Sequence, residues 1–326
     1  MTGHLRLPVV LATIAGLAVA LWAIGRVGLA ALAHAALMLG PGGFLTMCLC
    51  TLALLTILGG AWLAAMPGEP IARLPLFAWA RTVREGANDL LPFSQIGGLV
   101  VGARTLTGAG LPAARVYAAM IVDLSTEMAS QLAFTLYGLA VLGSILFEGK
   151  GMHHVTPLAW AGAGVTLAIT AAFILLQRPM LKLAVALAGR MLPGAHVPLD
   201  QVVLELDAIY RRRGAVLVSF LLNLAGWIVA GAIAALTLRL MGQPLPLWRV
   251  MALESLIFAI RGAAFLIPGA IGVQEAGYLL LAQAMGLDPQ AAVALSLVKR
   301  ARDAAIGLPA LLVWQARQLR PAAMLR

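Results

Sequence analysis

The chain has 326 residues, 62% of them hydrophobic and only 11% charged, with a mean hydropathy of +0.95. That composition excludes a soluble globular protein and defines an all-α, polytopic integral membrane protein; no block of about 100 residues is polar enough to form a separate cytosolic catalytic domain. The formal charge of +10 does not indicate a nucleic-acid partner, because the bases are scattered between apolar spans, where topology and anionic headgroups account for them.

A spanning helix needs about 20 apolar residues. In chain order the runs Leu7–Ala23, Phe44–Met66, Tyr117–Leu146, Leu158–Leu176, Val216–Leu240 and Ala291–Trp314 predict six crossings. The first is read as a crossing, not a cleaved leader, because the Ala33-His34-Ala35 triplet lies too far beyond it. Two further stretches, Leu76–Thr105 and Trp248–Gly286, are interrupted at Pro92 and Pro268, each with glycines just after. Non-helical backbone at membrane depth survives only against protein or a wet cavity, so both are expected to be re-entrant helical hairpins.

Between Met180 and Arg213 the chain turns amphipathic. Leu199, Val202, Val203, Leu206, Ile209 and Tyr210 recur at helical spacing, predicting an interfacial helix on the cytoplasmic surface. The distribution of lysine and arginine places both termini in the cytoplasm. In that count Arg73, Arg81, Arg84, Arg104, Arg115 and the Arg211–Arg213 triplet fall in cytoplasmic segments, whereas Arg261, Lys299, Arg300 and Arg302 are left inside membrane segments. Trp22, Trp62, Trp79, Trp160, Trp248 and Trp314 fall near span ends, as an aromatic belt requires.

The two interrupted stretches resemble each other at an offset of about 176 residues, allowing one single-residue gap. Leu91-Pro92 and Ile96-Gly97 correspond to Ile267-Pro268 and Ile271-Gly272, Gly102 to Gly277, and Gly110-Leu111 to Gly286-Leu287. Three predicted crossings separate the copies, which puts them in opposite orientation, the inverted-repeat plan with a substrate site at the repeat interface. The chain is thus read as one transmembrane domain, 1–326, with repeat-like halves at 44–146 and 214–316. The 158–176 helix and the 180–213 interfacial segment join them.

The charges of the two copies are opposite. Asp123 and Glu127 share a helix face, and the matching positions hold Lys299 and Asp303, with Arg300 and Arg302 beside them; Glu85 aligns with Arg261. At about 1.5 Å per residue, Asp123 and Lys299 both reach mid-depth, where an isolated charge costs about 2.5–3.5 kcal/mol. Pairing between the copies is expected to offset that cost, either as a structural network or as the lining of a hydrated cavity for a lipid headgroup. Glu275 opens the second arm of its hairpin, where a carboxylate can cap free amides. Cys48 and Cys50 point in different directions on a helix, and His153-His154 lack a third ligand, so neither a disulfide nor a metal site is expected. No Gly-rich loop ends in Gly-Lys-Ser or Gly-Lys-Thr, and no cofactor is expected.

Pro268 to Gly277, followed by Ala294-Leu295-Ser296-Leu297-Val298-Lys299-Arg300, resembles the signature of the lysylphosphatidylglycerol synthase transmembrane family, the flippase-like part of the multiple peptide resistance factors. Arg84-Glu85 with Asn88, Leu91-Pro92, Gln95 to Gly98, Val101 to Arg104, and Val122-Asp123-Leu124 with Glu127 are most similar to its hopanoid-biosynthesis-associated members. Glu254-Ser255 with Arg261 and Phe265 extends the resemblance.

The resemblance implies a bacterial inner-membrane protein connected with lipid export or flipping in hopanoid-producing cells. It does not imply aminoacyl transfer, which the larger synthases carry on a separate cytosolic domain. The expected substrate contacts are Arg84, Glu85, Asn88, Gln95, Arg104, Asp123 and Glu127 in the first half, and Glu254, Arg261, Glu275, Lys299, Arg300 and Arg302 in the second. The leading expectation is a translocator of a membrane lipid, a hopanoid or a phospholipid. An intramembrane headgroup-modifying enzyme using Asp123 and Glu127, and a non-catalytic factor that assembles lipid-biosynthesis enzymes, are the alternatives.

Overall fold

A computed structural model describes residues 37–90, 94–148, 199–263, 270 and 272–319. The expected crossings Leu7–Ala23 and Leu158–Leu176, both hairpin prolines and the His153-His154 pair lie outside the described residues. Among the described residues there are nine α-helices and no strands: α1 (Gly40–Ala64), α2 (Leu74–Leu90), α3 (Ser94–Gly108), α4 (Ala113–Glu148), α5 (Leu199–Arg211), α6 (Arg213–Leu240), α7 (Leu247–Ala263), α8 (Val273–Met285) and α9 (Pro289–Leu319).

Three helices, α1, α4 over Ala113–Ile145 and α6, are long and apolar enough to cross a membrane. They coincide with three expected crossings. The Ala291–Trp314 run lies within α9, which at 31 residues is about 46 Å long but carries Lys299, Arg300, Arg302 and Asp303. The outer faces are apolar: Leu45, Leu49 and Leu52 on α1 and Leu217, Leu221 and Ile228 on α6 are all exposed. Such stripes of leucine at helical spacing suit lipid rather than water.

The interruptions separate short helices. α2 and α3 have 17 and 15 residues and flank Pro92; α7 and α8 have 17 and 13 and flank Pro268. Within each pair the two helices pack on one another. The order long, short, short, long therefore occurs twice, as α1–α4 and α6–α9. Contacts between the two groups follow the same exchange: α2 packs on α9, α7 packs on α4, and α1 packs on α6.

Glycine makes the crossings close. A Cβ on Gly86 of α2 would lie 2.9 Å from the Cα of Gly307 on α9. At the matching place, 176 residues on from Gly86 and 176 back from Gly307, a Cβ on Gly262 of α7 would lie 3.3 Å from Nε2 of Gln131 on α4. Two apolar cores result. Trp62, Phe77, Leu106, Val116 and Val122 fill the first, closed by Val202, Leu206 and Ile209 of α5; Leu253, Ile257, Tyr278, Met285 and Leu295 fill the second. Of the apolar face expected on α5, Val202, Leu206 and Ile209 are buried, whereas Val203 and Tyr210 are exposed. A seam of Met47, Leu54, Ile233 and Val298 joins α1 to α6 and α9.

Candidate functional site

Arg81 and Arg84 stand three residues apart on α2, on one helix face, and they look across to Asp123 and Glu127, four apart on α4. Arg81 reaches Asp123 Oδ2 at 3.1 Å with Nη1 and Glu127 Oε1 at 2.5 Å with Nη2. Arg84 reaches the same Asp123 oxygen with Nη1 and Glu127 Oε2 with Nη2, both at 3.0 Å. Two guanidinium forks thus hold two carboxylates, the geometry in which arginine binds acids most specifically. Asn223 of α6 donates to Asp123 Oδ1 at 3.3 Å and to Thr126 Oγ1 at 3.1 Å. Arg81 and Asp123 have side-chain exposures of 1% and 0%. The fifth charge, Glu85, sits 2.9 Å from Arg81 Nε and is 27% exposed; Asn88 donates to its other oxygen at 3.4 Å.

The second group is smaller and more fully enclosed. Lys299 of α9 places Nζ 2.5 Å from Glu254 Oε2 on α7 and donates to the Tyr278 hydroxyl on α8 at 2.9 Å, while that hydroxyl donates to Glu254 Oε1. Phe258 offers a ring face 5.0 Å from Nζ. The polarity is reversed between the groups: bases on the short helix and acids on the long one in the first, an acid on the short helix and a base on the long one in the second.

One turn away, Glu275 performs the capping role its position predicts. Its Oε2 accepts the Gly272 amide at 2.8 Å, and its Oε1 accepts Arg300 Nε at 2.7 Å and the Ser296 hydroxyl at 2.8 Å. Gly272 turns the chain into α8 with φ +82°, which only glycine adopts without strain.

The two groups are linked by Asp89 and Arg261, at the ends of α2 and α7. Asp89 Oδ1 accepts Arg261 Nη2 at 3.0 Å, with side-chain exposures of 24% and 23%. Beside them Arg302 and Asp303 pair at 2.6 Å, 12% and 15% exposed.

Several expectations change. Asp123 and Glu127 do not pair with Lys299 and Arg300; each half compensates its own charges, because α4 brings its acids against α2 and α9 its base against α7 and α8. Arg81 and Arg84, counted among the bases of cytoplasmic segments, are buried on α2. Trp62 is fully buried, at 0% exposure, with its ring under Arg84 and edge-on to Phe77, so it belongs to the core and not to an aromatic belt. Arg104 lies on α3 and has no ion pair among the described residues. Gln95 lies in the first turn of α3. Glu85, Asn88, Arg261 and Arg302 gather where the groups meet.

Arg81, Asn223 and Tyr278 complete the networks and are absent from the expected contacts. Arg81 and Arg84 at the i, i+3 spacing were the available signal for the first; Asn223 and Tyr278 had none beyond being polar in apolar runs.

A helical membrane protein with charged networks enclosed beneath two interrupted helix pairs is the class this fold and site define. The chain belongs to the lysylphosphatidylglycerol synthase TM region family, which matches residues 9–310. Membership ties it to membrane lipid. No curated protein and no solved structure matches it.

Proposed function

We propose that this protein moves an amphipathic lipid across a bacterial inner membrane, through a passage between the two hairpins, and that α1–α4 and α6–α9 are inverted copies with both termini cytoplasmic. One observation carries the reading: Glu85, Asp89, Arg261, Arg302 and Asp303, all in helices of apolar surroundings, keep 12–27% of their side-chain surface open where the hairpins meet. At membrane depth an open charge must face water, a headgroup or another charge, so this junction suits a polar headgroup drawn between lipid-facing helices. The buried pairings on either side, Arg81 and Arg84 with Asp123 and Lys299 with Glu254, act as supports that fix the short helices. In the first group three carboxylates face two guanidiniums, and the surplus acid, Glu85, is the one that reaches outward; a cationic headgroup or a proton suits it.

Nothing in the sequence binds a nucleotide through a phosphate loop, so the driving force is the lipid's own gradient or an ion gradient. A hopanoid or its polar derivative is the cargo that the sequence resemblance favours. Native mass spectrometry of the protein extracted in mild detergent tests the reading. Retained lipid that is lost in Glu85→Gln and Arg261→Gln is the expected result, and no retained lipid in any gentle extraction contradicts it. Incubation with candidate lipids and donors that yields a lipid of altered mass would instead favour headgroup modification, and co-purifying synthesis enzymes an assembly role.

A further inference from the structure

Every ion pair among the described residues joins side chains within one four-helix group, except one. Arg81, Arg84, Glu85, Asp123 and Glu127 close on themselves, as do Lys299 with Glu254 and Arg300 with Glu275. Asp89–Arg261 alone crosses between the groups. It does so at the last turns of α2 and α7, which do not pack along one another; α2 lies on α1, α3 and α9, and α7 on α4, α6 and α8.

The bridge also differs in strength. Arg81 and Arg84 each engage both acids of their network through two Nη atoms, almost fully buried. Arg261 makes a single hydrogen bond to Asp89, by one Nη to one Oδ, and both side chains are about a quarter open. Partly solvated, single-contact ion pairs contribute little stability and break at low cost, whereas enclosed bidentate ones do not.

A second pair stands ready beside it. Arg302 spends Nε and Nη2 on one oxygen of Asp303, at 2.9 and 2.6 Å, leaving the other oxygen without a hydrogen bond among the described residues. Asp303 acts electrostatically on both Asp89 and Arg261, and Arg302 acts on Asp89. Two acids and two bases that act on one another at this junction have two neutral pairings: Asp89–Arg261 with Asp303–Arg302, as observed, or Asp89–Arg302 with Asp303–Arg261. The first ties α2 to α7. The second ties each hairpin to α9 and leaves α2 and α7 unjoined.

We infer that Asp89–Arg261 is a latch between the last turns of α2 and α7, and that Arg302–Asp303 receives its charges when it opens. Exchange of partners keeps the four charges compensated throughout, so the hairpins part without stranding a charge at membrane depth. The inference rests on the passage proposed above, for which the latch is the closure.

Hydrogen–deuterium exchange of the full protein in lipid nanodiscs tests it. Asp89→Asn and Arg261→Gln each should speed amide exchange in residues 82–90 and 255–263 together, by about two- to fivefold, with the α4 segment around Asp123 unchanged. The reversed pair Asp89→Arg with Arg261→Asp should return both segments to wild-type rates. Exchange in the α7 segment that ignores Asp89→Asn, or a reversed pair no better than the single changes, overturns the latch. The readout does not depend on lipid movement: wild-type protein that moves no lipid would retire the transport reading and leave this result standing.

Discussion

Arg81 and Asp123, 42 residues apart in the chain, form a 3.1 Å ion pair in which neither side chain is more than 1% exposed. The pair joins the short helix α2 to α4, the longest of the described helices. Removing one partner of a buried pair strands the other, at about 3–5 kcal/mol. Arg81→Ala and Asp123→Ala are each expected to lower stability by about that amount in detergent unfolding, and the double change to cost far less than their sum. Additive losses would show that the two do not act as a unit.

Tyr278 closes the second group by bonding both Lys299 and Glu254. Tyr278→Phe leaves an acceptor and a donor unsatisfied in a fully buried site, for an expected loss of about 1–3 kcal/mol. Tyr137, a 39% exposed residue whose hydroxyl donates to the Trp248 carbonyl, is the control; Tyr137→Phe should cost no more than about 1 kcal/mol. Equal effects in unfolding experiments would remove the distinction between the two sites.

At the α2–α9 crossing Gly86 has no room for a side chain, since a Cβ would meet the Gly307 backbone at 2.9 Å. Gly86→Ala is expected to force the helices apart and destabilise by about 1–3 kcal/mol. A Cβ on Gly97 of α3 meets nothing within 4 Å, so Gly97→Ala should be neutral or stabilising by up to about 1 kcal/mol. Comparing their unfolding midpoints checks the packing of the crossing.

Glu275 accepts the amide of Gly272, the residue that caps α8, and holds Arg300. Glu275→Ala should loosen the start of α8, raising amide exchange over residues 273–277 by about tenfold, equivalent to ~1.4 kcal/mol. Unchanged exchange would mean that Arg300 and the backbone hold this turn without the carboxylate.

Much of the fold is visible in the sequence because it depends on runs along the chain. The spans in α1, α4 and α6 follow from apolar length, the short helices from Pro92 and Pro268, and the buried stripe of α5 from Val202, Leu206 and Ile209 at helical spacing. The 176-residue correspondence aligns Glu85 with Arg261 in the sequence, whereas the glycine crossings beside them, at Gly86 and Gly262, emerge only from the structure. What the sequence does not contain is which helices abut. Asp123 and Lys299 occupy matching positions with opposite charge, which suggests that they meet; in the fold each faces the short helices of its own half. Arg81 and Arg84 precede an interruption and carry charge, so the positive-inside count assigns them to a cytoplasmic segment, although α2 carries them inward to meet two acids. Tyr278 and Trp62 show the same limit: an aromatic ring in an apolar run has no mark that separates a core position from a hydrogen-bond relay or an interfacial one.

The central claim is that this protein carries lipid between leaflets. The direct measurement is transbilayer movement of labelled neutral, zwitterionic and anionic lipids in liposomes reconstituted with the full chain, beside protein-free vesicles. Faster movement of at least one lipid class with protein, slowed by Lys299→Ala and by Glu85→Gln, is the predicted result. Equal rates with and without correctly folded protein for every class would contradict it.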